Sequence, residues 1–285
     1  MRRLRISAIS FLNTAPLMWD FEHSTPETRE SLQRFDFTYT VPSQCAQALL
    51  EGTGDIGIIP SITYATIPGL AILPDVAIAS KNEVRSILLV HKKPIEDVRT
   101  IALDTSSRTS VVLTKILLTK FFRGAEREYV TMPADPEAML KHCDAGLLIG
   151  DPALQVDRSR YAALDLAQEW RRITGKPFVF AFWAVRMAAL SGTPEDYALG
   201  NIFSRSRDNG LKPASLDVIA REWAPRIGLT EDGVRQYLTE NIHYTLDAEN
   251  TEGLELFYRY AFELGLIPEI PSLRLLGKLA FHLYH

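Results

Sequence analysis

The chain has 285 residues, of which 46% are hydrophobic and 23% charged, and its formal net charge is -4. These values are ordinary for a globular protein of one large or two medium domains, which excludes a disordered chain. The small negative charge, without a run of Lys and Arg, gives no electrostatic basis for binding nucleic acid or an anionic membrane. No stretch approaches the ~20 apolar residues of a membrane span. We therefore expect neither nucleic acid nor a membrane as a partner.

The amino terminus and the two cysteines indicate the compartment. Basic residues open the chain, but a serine interrupts the apolar run that follows, so the core of a signal peptide is absent and a cytoplasmic protein is expected. Cys45 and Cys143 are too few and too far apart for a disulfide framework or a zinc site. Both are predicted to be buried core thiols, and no metal site is predicted.

Strands and helices alternate along the first third of the chain. Branched and polar residues alternate at 5–10, which predicts the first strand. The run that follows predicts a helix near Pro16, because proline is tolerated in a first helical turn. Further strands are predicted at 37–41 and 55–60, and further helices at 43–52 and from near Ser61. This alternation predicts a mostly parallel sheet covered on both faces.

A second α/β unit follows a strand and linker at 83–94. Its predicted strands are 100–104, 128–132 and 145–151, and its predicted helices are 107–122 and 135–143. Another long apolar strand is predicted at 176–186, after which the chain is helical almost to its end. Because long strands flank the middle segment, the chain is predicted to cross twice between two lobes.

The two predicted lobes are of ordinary domain size. Lobe I is discontinuous and consists of residues 1–90 plus 185–285, and lobe II consists of residues 91–184. A ligand would lie between them. We expect the segment of about 92–176 to close on the other lobe when ligand binds, because the flanking strands can supply hinges.

Polar residues stand at the turns that follow the predicted strands. Asn13 and Thr14 lie at the first strand-to-helix turn, and ligands bind at such turns in open α/β sheets. An equally good alternative is that Asn13 only caps the helix. Ser61, Gly150 and Asp151 follow other apolar strands in the same way, with Asp151 also suited to capping a helix.

The stretch 105–110 carries five hydroxyl residues in six positions, at the start of a helix that follows a strand. A helix amino terminus offers unpaired N–H groups and a positive dipole end, which suit a carboxylate or phosphate. Ser107, Arg108 and Thr109 are therefore predicted to bind an anion. The alternative is an over-supplied helix cap with Arg108 solvated. Side chains such as Asn13 and Ser86 would converge on this site if both sheets point into one cleft.

These stretches together resemble the chorismate dehydratase family of the futalosine route to menaquinone. The matching stretches are RISAISFLNTAPL, GDIGIIPSITYA, VRSILLV, DTSSRTSVVL, LLIGDPAL and DLAQEWRRITGKPFVFAFW. They lie in order from Arg5 to Trp183, and the carboxyl-terminal helices add only loose similarity. Two stretches depart from the family's usual pattern, since Phe11 stands where tyrosine is usual and LAQEW replaces a commoner LGEEW.

The resemblance implies an α/β fold of the two-lobed type II periplasmic-binding-protein-like class, with mixed, mostly parallel sheets and a ligand cleft between the lobes. It also implies a lyase that removes water from chorismate to give 3-[(1-carboxyvinyl)oxy]benzoate. The ring carboxylate makes the proton on ring carbon 3 acidic, and the extended enolate then expels the neighbouring hydroxyl. No metal or organic cofactor is implied, because formation of the aromatic ring drives the reaction.

The matching motifs supply many hydrogen-bond donors and no obvious base among His, Glu or Lys. Two bases stay open: the enolpyruvyl carboxylate of the substrate itself, with Asn13 holding the reacting groups, or Asp151. The predicted substrate contacts are Thr14, Ser61, Ser86, Ser107, Arg108, Thr109 and Gly150.

Two other functions remain possible on the same fold, because fold does not determine function. One is a non-catalytic protein that binds small anions, against which the absent signal peptide counts. The other is the sister enzyme that forms 1,4-dihydroxy-6-naphthoate, against which the stretch SFLNTAPL counts. The sequence carries no signal for the oligomeric state.

Overall fold

A computed structural model describes residues 3–124 and 126–277, apart from the side chain at position 195. The ends of predicted lobe I, at residues 1–2 and 278–285, lie outside the described residues. The strands are β1 (Leu4–Ile9), β2 (Phe35–Thr40), β3 (Ile56–Pro60), β4 (Leu70–Ser80), β5 (Ile87–His91), β6 (Thr100–Asp104), β7 (Glu128–Met132), β8 (Ala145–Ile149), β9 (Ala162–Asp165) and β10 (Phe178–Arg186).

The strands form two five-stranded mixed sheets with the same plan. The first sheet has the order β2-β1-β3-β10-β4, and the second has the order β7-β6-β8-β5-β9. In the first sheet β1 is parallel to β2 and β3, whereas β10 is antiparallel to β3 and β4. In the second sheet β6 is parallel to β7 and β8, whereas β5 is antiparallel to β8 and β9. Each sheet thus has a single reversed strand, and that strand belongs to one of the two chain crossings.

Helices cover the sheets and fill most of the chain after β10. They are α1 (Trp19–Glu22), α2 (Pro26–Leu32), α3 (Pro42–Glu51), α4 (Thr109–Lys120), α5 (Pro136–His142), α6 (Gly150–Leu154), α7 (Leu166–Thr174), α8 (Pro194–Tyr197), α9 (Leu199–Gly210), α10 (Pro213–Ile227), α11 (Glu231–Gln236) and α12 (Ala248–Glu263). Short 3₁₀ helices span Leu12–Met18, Ser61–Ala65, Ile95–Asp97 and Met187–Ala189, and a π-helical turn spans Tyr237–Asn241.

The segment after the π-helical turn returns to the first sheet. His243 and Ala79 exchange both backbone hydrogen bonds, at 2.8 and 3.0 Å, and the Ala77 N–H donates to the Tyr244 carbonyl at 3.1 Å. These bonds lie on β4, at the edge of the sheet. They fix the carboxyl-terminal segment close to the end of β4 where the chain crosses to the second sheet.

Buried aromatic residues supply the largest side chains of the core. Trp170 and Trp183 are both completely buried. The Trp170 ring packs edge-on against Phe178, and its N–H donates to the Pro177 carbonyl at 3.1 Å. Cys45 and Cys143 are buried, which confirms the prediction of core thiols, and burial raises the pKa of each.

The structure corrects two expectations about the elements. The helix predicted near Pro16 begins at Leu12, in 3₁₀ form, with Pro16 inside it. The 11-residue strand β4 was not predicted, because Pro74 and Asp75 interrupt its apolar pattern; Asp75 has a φ of 63°. The predicted lobe limits after residues 90 and 184 fall inside β5 and β10, each of which lies wholly within one sheet.

Candidate functional site

A cavity lies where the carboxyl ends of parallel strands from both sheets meet. Its volume is about 60 Å³. The apolar part of its lining includes Ile9, Phe11, Ile78, Ile87, Ile149 and Phe180. The polar part comes from Asn13, after β1 of the first sheet, and from 107–110, after β6 of the second sheet. The cavity is therefore mostly apolar, with hydrogen-bonding groups supplied by both sheets.

The predicted site residues all lie in or beside this cavity. Those that line it are Asn13, Ser107, Arg108, Thr109 and Gly150. The other four, which are Thr14, Ser61, Ser86 and Asp151, each stand next in sequence to a lining residue. Asn13 and Ser107, which follow strands of different sheets, thus meet at one cavity. Contact with a substrate stays a prediction for all nine.

Asn13 does not occupy the cap position that its alternative role requires. The 3₁₀ helix begins at Leu12, so Phe11 is the capping residue. The Asn13 side-chain oxygen accepts a hydrogen bond from the Thr14 hydroxyl at 3.3 Å, and its backbone carbonyl accepts one from the Tyr244 hydroxyl at 3.0 Å. The side chain is half-buried and lines the cavity. The interpretation of Asn13 as a helix cap is therefore wrong.

The loop before α4 holds one hydroxyl without a partner. The Asp104 carboxylate accepts hydrogen bonds from the N–H and the hydroxyl of Ser106, at 2.8 and 2.7 Å. The Arg108 guanidinium donates to the carbonyls of Thr105 and Ser107, at 3.2 and 2.9 Å. Ser107 is only 2% exposed, and its hydroxyl has no hydrogen-bond partner among the described residues. Buried polar groups are normally paired, so this hydroxyl is suited to a ligand.

Thr109 and Ser61 join the two sheets beside the cavity. The Thr109 hydroxyl accepts a hydrogen bond from the Ile62 N–H at 3.2 Å and lies 3.4 Å from the Ser61 hydroxyl. The Ser61 hydroxyl donates to the Val179 carbonyl at 2.8 Å. Both hydroxyls thus already have protein partners, and they hold the start of α4 against the end of β3.

Gly150 is required at the end of β8 for two reasons. Its φ is +63°, which disfavours residues with a side chain. A Cβ atom at this position would also lie 2.7 Å from the Phe11 ring. The Phe11 ring therefore packs directly on the backbone of Gly150, and a residue from each sheet forms this wall of the cavity.

Asp151 follows Gly150. Its carboxylate does not cap α6, although the alternative role predicted for this residue requires such a cap. Ile149 occupies the cap position, and the carboxylate accepts a hydrogen bond from the Leu12 N–H at 3.0 Å. Burial raises the pKa of Asp151 to about 6, and the Leu12 hydrogen bond only partly opposes this effect. A carboxyl group with this pKa changes its charge close to neutral pH, which suits a general base.

Two buried tyrosines near the site were not predicted. The Tyr237 hydroxyl donates to the Ser86 hydroxyl at 2.8 Å, and the Tyr244 hydroxyl donates to the Asn13 carbonyl. Both lie in the carboxyl-terminal segment, where the sequence resembles the family only loosely. They reach the site because that segment pairs with β4, and no local pattern indicates a pairing so distant in sequence.

The structure also bears on metals and membranes. Among residues 3–124 and 126–277, no group of three or more His, Cys, Asp or Glu side chains could hold a metal ion. Within the same residues, no helix is long and apolar enough to cross a membrane.

Comparisons with known proteins identify the family. A sequence model described as menaquinone biosynthesis matches residues 4–263. A chorismate dehydratase from Thermus thermophilus is 32% identical over 257 residues, which cover 82% of this chain and 89% of the relative.

Solved structures share the fold. A protein from Archaeoglobus fulgidus has a TM-score of 0.72 at 18% identity, with 93% of this chain and 98% of the other chain covered. The periplasmic aliphatic sulphonate binding protein SsuA from Escherichia coli has a TM-score of 0.66 at 17% identity, with 98% and 99% covered. At this identity the likeness shows the fold alone, and that fold is the predicted periplasmic-binding-protein-like fold.

Proposed function

Because this chain belongs to the menaquinone-biosynthesis family, we propose that it is a chorismate dehydratase, a lyase that converts chorismate to 3-[(1-carboxyvinyl)oxy]benzoate and water. The chorismate dehydratase from Thermus thermophilus supports this assignment, since the similarity covers 89% of its length. The observation that carries the proposal is the cavity itself. It joins an apolar lining, suited to a ring, with an unpaired buried hydroxyl at Ser107 and an amide at Asn13.

The reaction requires stabilisation of charge at a carboxylate. Removal of the proton on ring carbon 3 gives an enolate whose negative charge spreads onto the ring carboxylate, and the neighbouring hydroxyl then leaves as the ring becomes aromatic. Fixed hydrogen-bond donors at the position of developing charge lower this barrier most. The Ser107 hydroxyl and the N–H groups at the start of α4 are such donors, with Arg108 adding a positive charge nearby. We assign the ring carboxylate to this loop.

Asn13 faces the same cavity from the first sheet. An amide can both donate and accept a hydrogen bond, so it can hold the leaving hydroxyl and the reacting carbon in place. In this arrangement the enolpyruvyl carboxylate of the substrate removes the proton. Asp151 is the alternative base, since it directly follows Gly150 of the cavity wall and its pKa is raised to about 6. Thr14, Ser61, Ser86 and Thr109 then support the residues that contact substrate.

Entry of the substrate requires the two sheets to separate. The cavity volume of about 60 Å³ is well below the roughly 300–1,000 Å³ of ordinary ligand pockets. The hydrogen bonds from Leu12 to Asp151 and from Ile62 to Thr109 cross between the sheets and must break for the cleft to open. We therefore propose two lobes, one for each sheet, that hinge at 81–86 and 166–177 and close on the substrate. We also propose that the protein acts in the cytoplasm, as expected for an enzyme of menaquinone biosynthesis.

The decisive experiment is incubation of the purified protein with chorismate, with the products analysed by mass spectrometry. We expect a product lighter than chorismate by one water molecule, with no added metal or cofactor. Asn13→Ala serves as the matched control, and its product should form far more slowly. A folded wild-type protein that binds chorismate and leaves it intact would instead support the small-anion binding protein.

A further inference from the structure

We propose that Tyr237 is a positioning residue of this site, whose hydroxyl holds the side chain of Ser86 in place behind the cavity. The inference rests on the proposed function for its kinetic consequence, although the positioning itself does not depend on the identity of the substrate. It concerns the carboxyl-terminal segment, where the sequence has only loose similarity to the family.

The first observation is a hydrogen bond between two buried hydroxyls. Tyr237 and Ser86 are each 1% exposed, and the Tyr237 hydroxyl donates to the Ser86 oxygen at 2.8 Å. Because Tyr237 supplies the proton of this bond, the Ser86 hydroxyl keeps its own proton to donate elsewhere. The Ser86 carbonyl accepts the N–H of Gly150 at 2.8 Å, and Gly150 lines the cavity. Tyr237 is therefore joined through a single residue to the wall of the site.

The second observation concerns the other tyrosine of the same segment. The Tyr244 hydroxyl donates to the Asn13 carbonyl at 3.0 Å. Burial raises the pKa of Tyr237, and the Ser86 side chain opposes that effect. Two tyrosines of one segment thus reach the site, one at the Ser86 side chain and one at the Asn13 backbone.

The backbone at Tyr237 is unusual in a way that fits this role. The Ile242 N–H donates to the Tyr237 carbonyl at 3.2 Å, five residues apart, as in a π-helix. Such turns are rare and occur frequently at functional sites. The segment then pairs with β4 through His243, which anchors the turn to the first sheet. Together, the π-helical turn and the pairing of His243 with β4 place the Tyr237 hydroxyl against Ser86, which immediately precedes β5.

The expected consequence is a selective loss of turnover. A phenylalanine at position 237 would keep the packing and remove only the hydroxyl, which leaves the Ser86 side chain free to rotate. Since small misplacements of reacting groups cost up to about 100-fold in rate, Tyr237→Phe should lower kcat about 10- to 100-fold and change KM less than about 3-fold. If the Tyr237 hydroxyl were merely structural, its loss would lower the melting temperature and leave kcat unchanged.

The test compares Tyr237→Phe with Tyr64→Phe in steady-state kinetics on chorismate. Tyr64 is also buried, and its hydroxyl donates to the Ser272 carbonyl, away from the cavity. We expect Tyr64→Phe to keep the wild-type kcat. If Tyr237 acts through Ser86, the variant with both Tyr237→Phe and Ser86→Ala should be no slower than Ser86→Ala alone. If the two substitutions instead lowered kcat by separate factors that multiply in the double variant, the link between Tyr237 and Ser86 would be overturned.

A second measurement needs no turnover. The backbone amide signal of Gly150, whose N–H donates to the Ser86 carbonyl, can be followed by nuclear magnetic resonance in the wild type and both tyrosine variants. We expect Tyr237→Phe to shift this signal and Tyr64→Phe to leave it in place. A shift in a protein that does not dehydrate chorismate would overturn the proposed function and keep the positioning role. An unchanged signal together with an unchanged kcat would overturn the positioning role.

Discussion

The carboxylate of Asp151 accepts a 3.0 Å hydrogen bond from the backbone N–H of Leu12, and this bond joins the end of the second sheet to the first turn of the first. The carboxylate is buried, and its pKa is raised to about 6 from an ordinary value of 3.8. The folded protein therefore retains a proton on this group at pH values where the unfolded chain has released it.

We predict that Asp151→Asn stabilises the protein at neutral pH relative to the wild type. The raised pKa contributes stability that is present below about pH 4 and lost as the pH rises through about 6. At about 1.36 kcal/mol per pKa unit, the lost contribution is roughly 2 to 3 kcal/mol. Denaturation of both proteins between pH 4 and 8 should show the difference growing with pH. Asp157→Asn is the control, since Ser159 lowers the pKa of Asp157. A constant difference would show that Asp151 is not perturbed.

The same substitution distinguishes the two candidate bases. If the substrate's own carboxylate removes the proton, Asp151→Asn should keep kcat within about 10-fold of the wild type, and this is the outcome we expect. If Asp151 is the base, kcat should fall by about 100- to 10,000-fold, and the wild-type rate should rise through about pH 6 as the carboxyl group loses its proton. Steady-state rates between pH 5 and 8 for both proteins decide between them.

The sequence predicts which strand ends form the site better than it predicts what each residue there does. Asn13 and Asp151 were placed correctly beside the cavity, yet both were given a capping alternative that the structure excludes. Local sequence cannot show this, because the helix starts at Leu12 rather than Pro16 and because the partner of Asp151 comes from the other sheet. The role of Asp151 depends on this hydrogen bond between segments that are distant in sequence, and the bond forms only in the folded chain.

The same limit applies to the fold. Apolar strands such as β6 and β7 were predicted to the residue, whereas β4 was missed because Pro74 and Asp75 break its pattern in the middle. Tyr237 had no local signal at all. Its position depends on pairing between His243 and Ala79, which are more than 150 residues apart in sequence.

Gly150→Ala should disturb both stability and activity. The positive φ costs about 1 to 2 kcal/mol for a residue with a side chain, and the new Cβ would lie 2.7 Å from the Phe11 ring. Displacing that ring moves a wall of the cavity, so we expect kcat/KM to fall at least about 10-fold. Gly175→Ala is the matched control, because Gly175 has a φ of +71° and open space at its Cβ. It should lose similar stability and keep its activity. Equal kinetic losses in both variants would contradict the role of the Phe11 contact.

Ser107→Ala should weaken substrate binding without destabilising the protein. The Ser107 hydroxyl is buried and has no partner among the residues that the structure describes, so its removal costs the free protein no hydrogen bond. If the hydroxyl binds the substrate carboxylate, the loss is that of a hydrogen bond to a charged group, about 1.5 to 3 kcal/mol, or roughly a 10- to 150-fold rise in KM. Ser106→Ala is the matched control, because the Ser106 hydroxyl already donates to Asp104 at 2.7 Å. That variant should lose about 1 kcal/mol of stability and keep its KM. Thermal melts and steady-state kinetics of the two variants provide the comparison. A lower melting temperature with an unchanged KM in Ser107→Ala would assign its hydroxyl to the helix cap instead of the substrate.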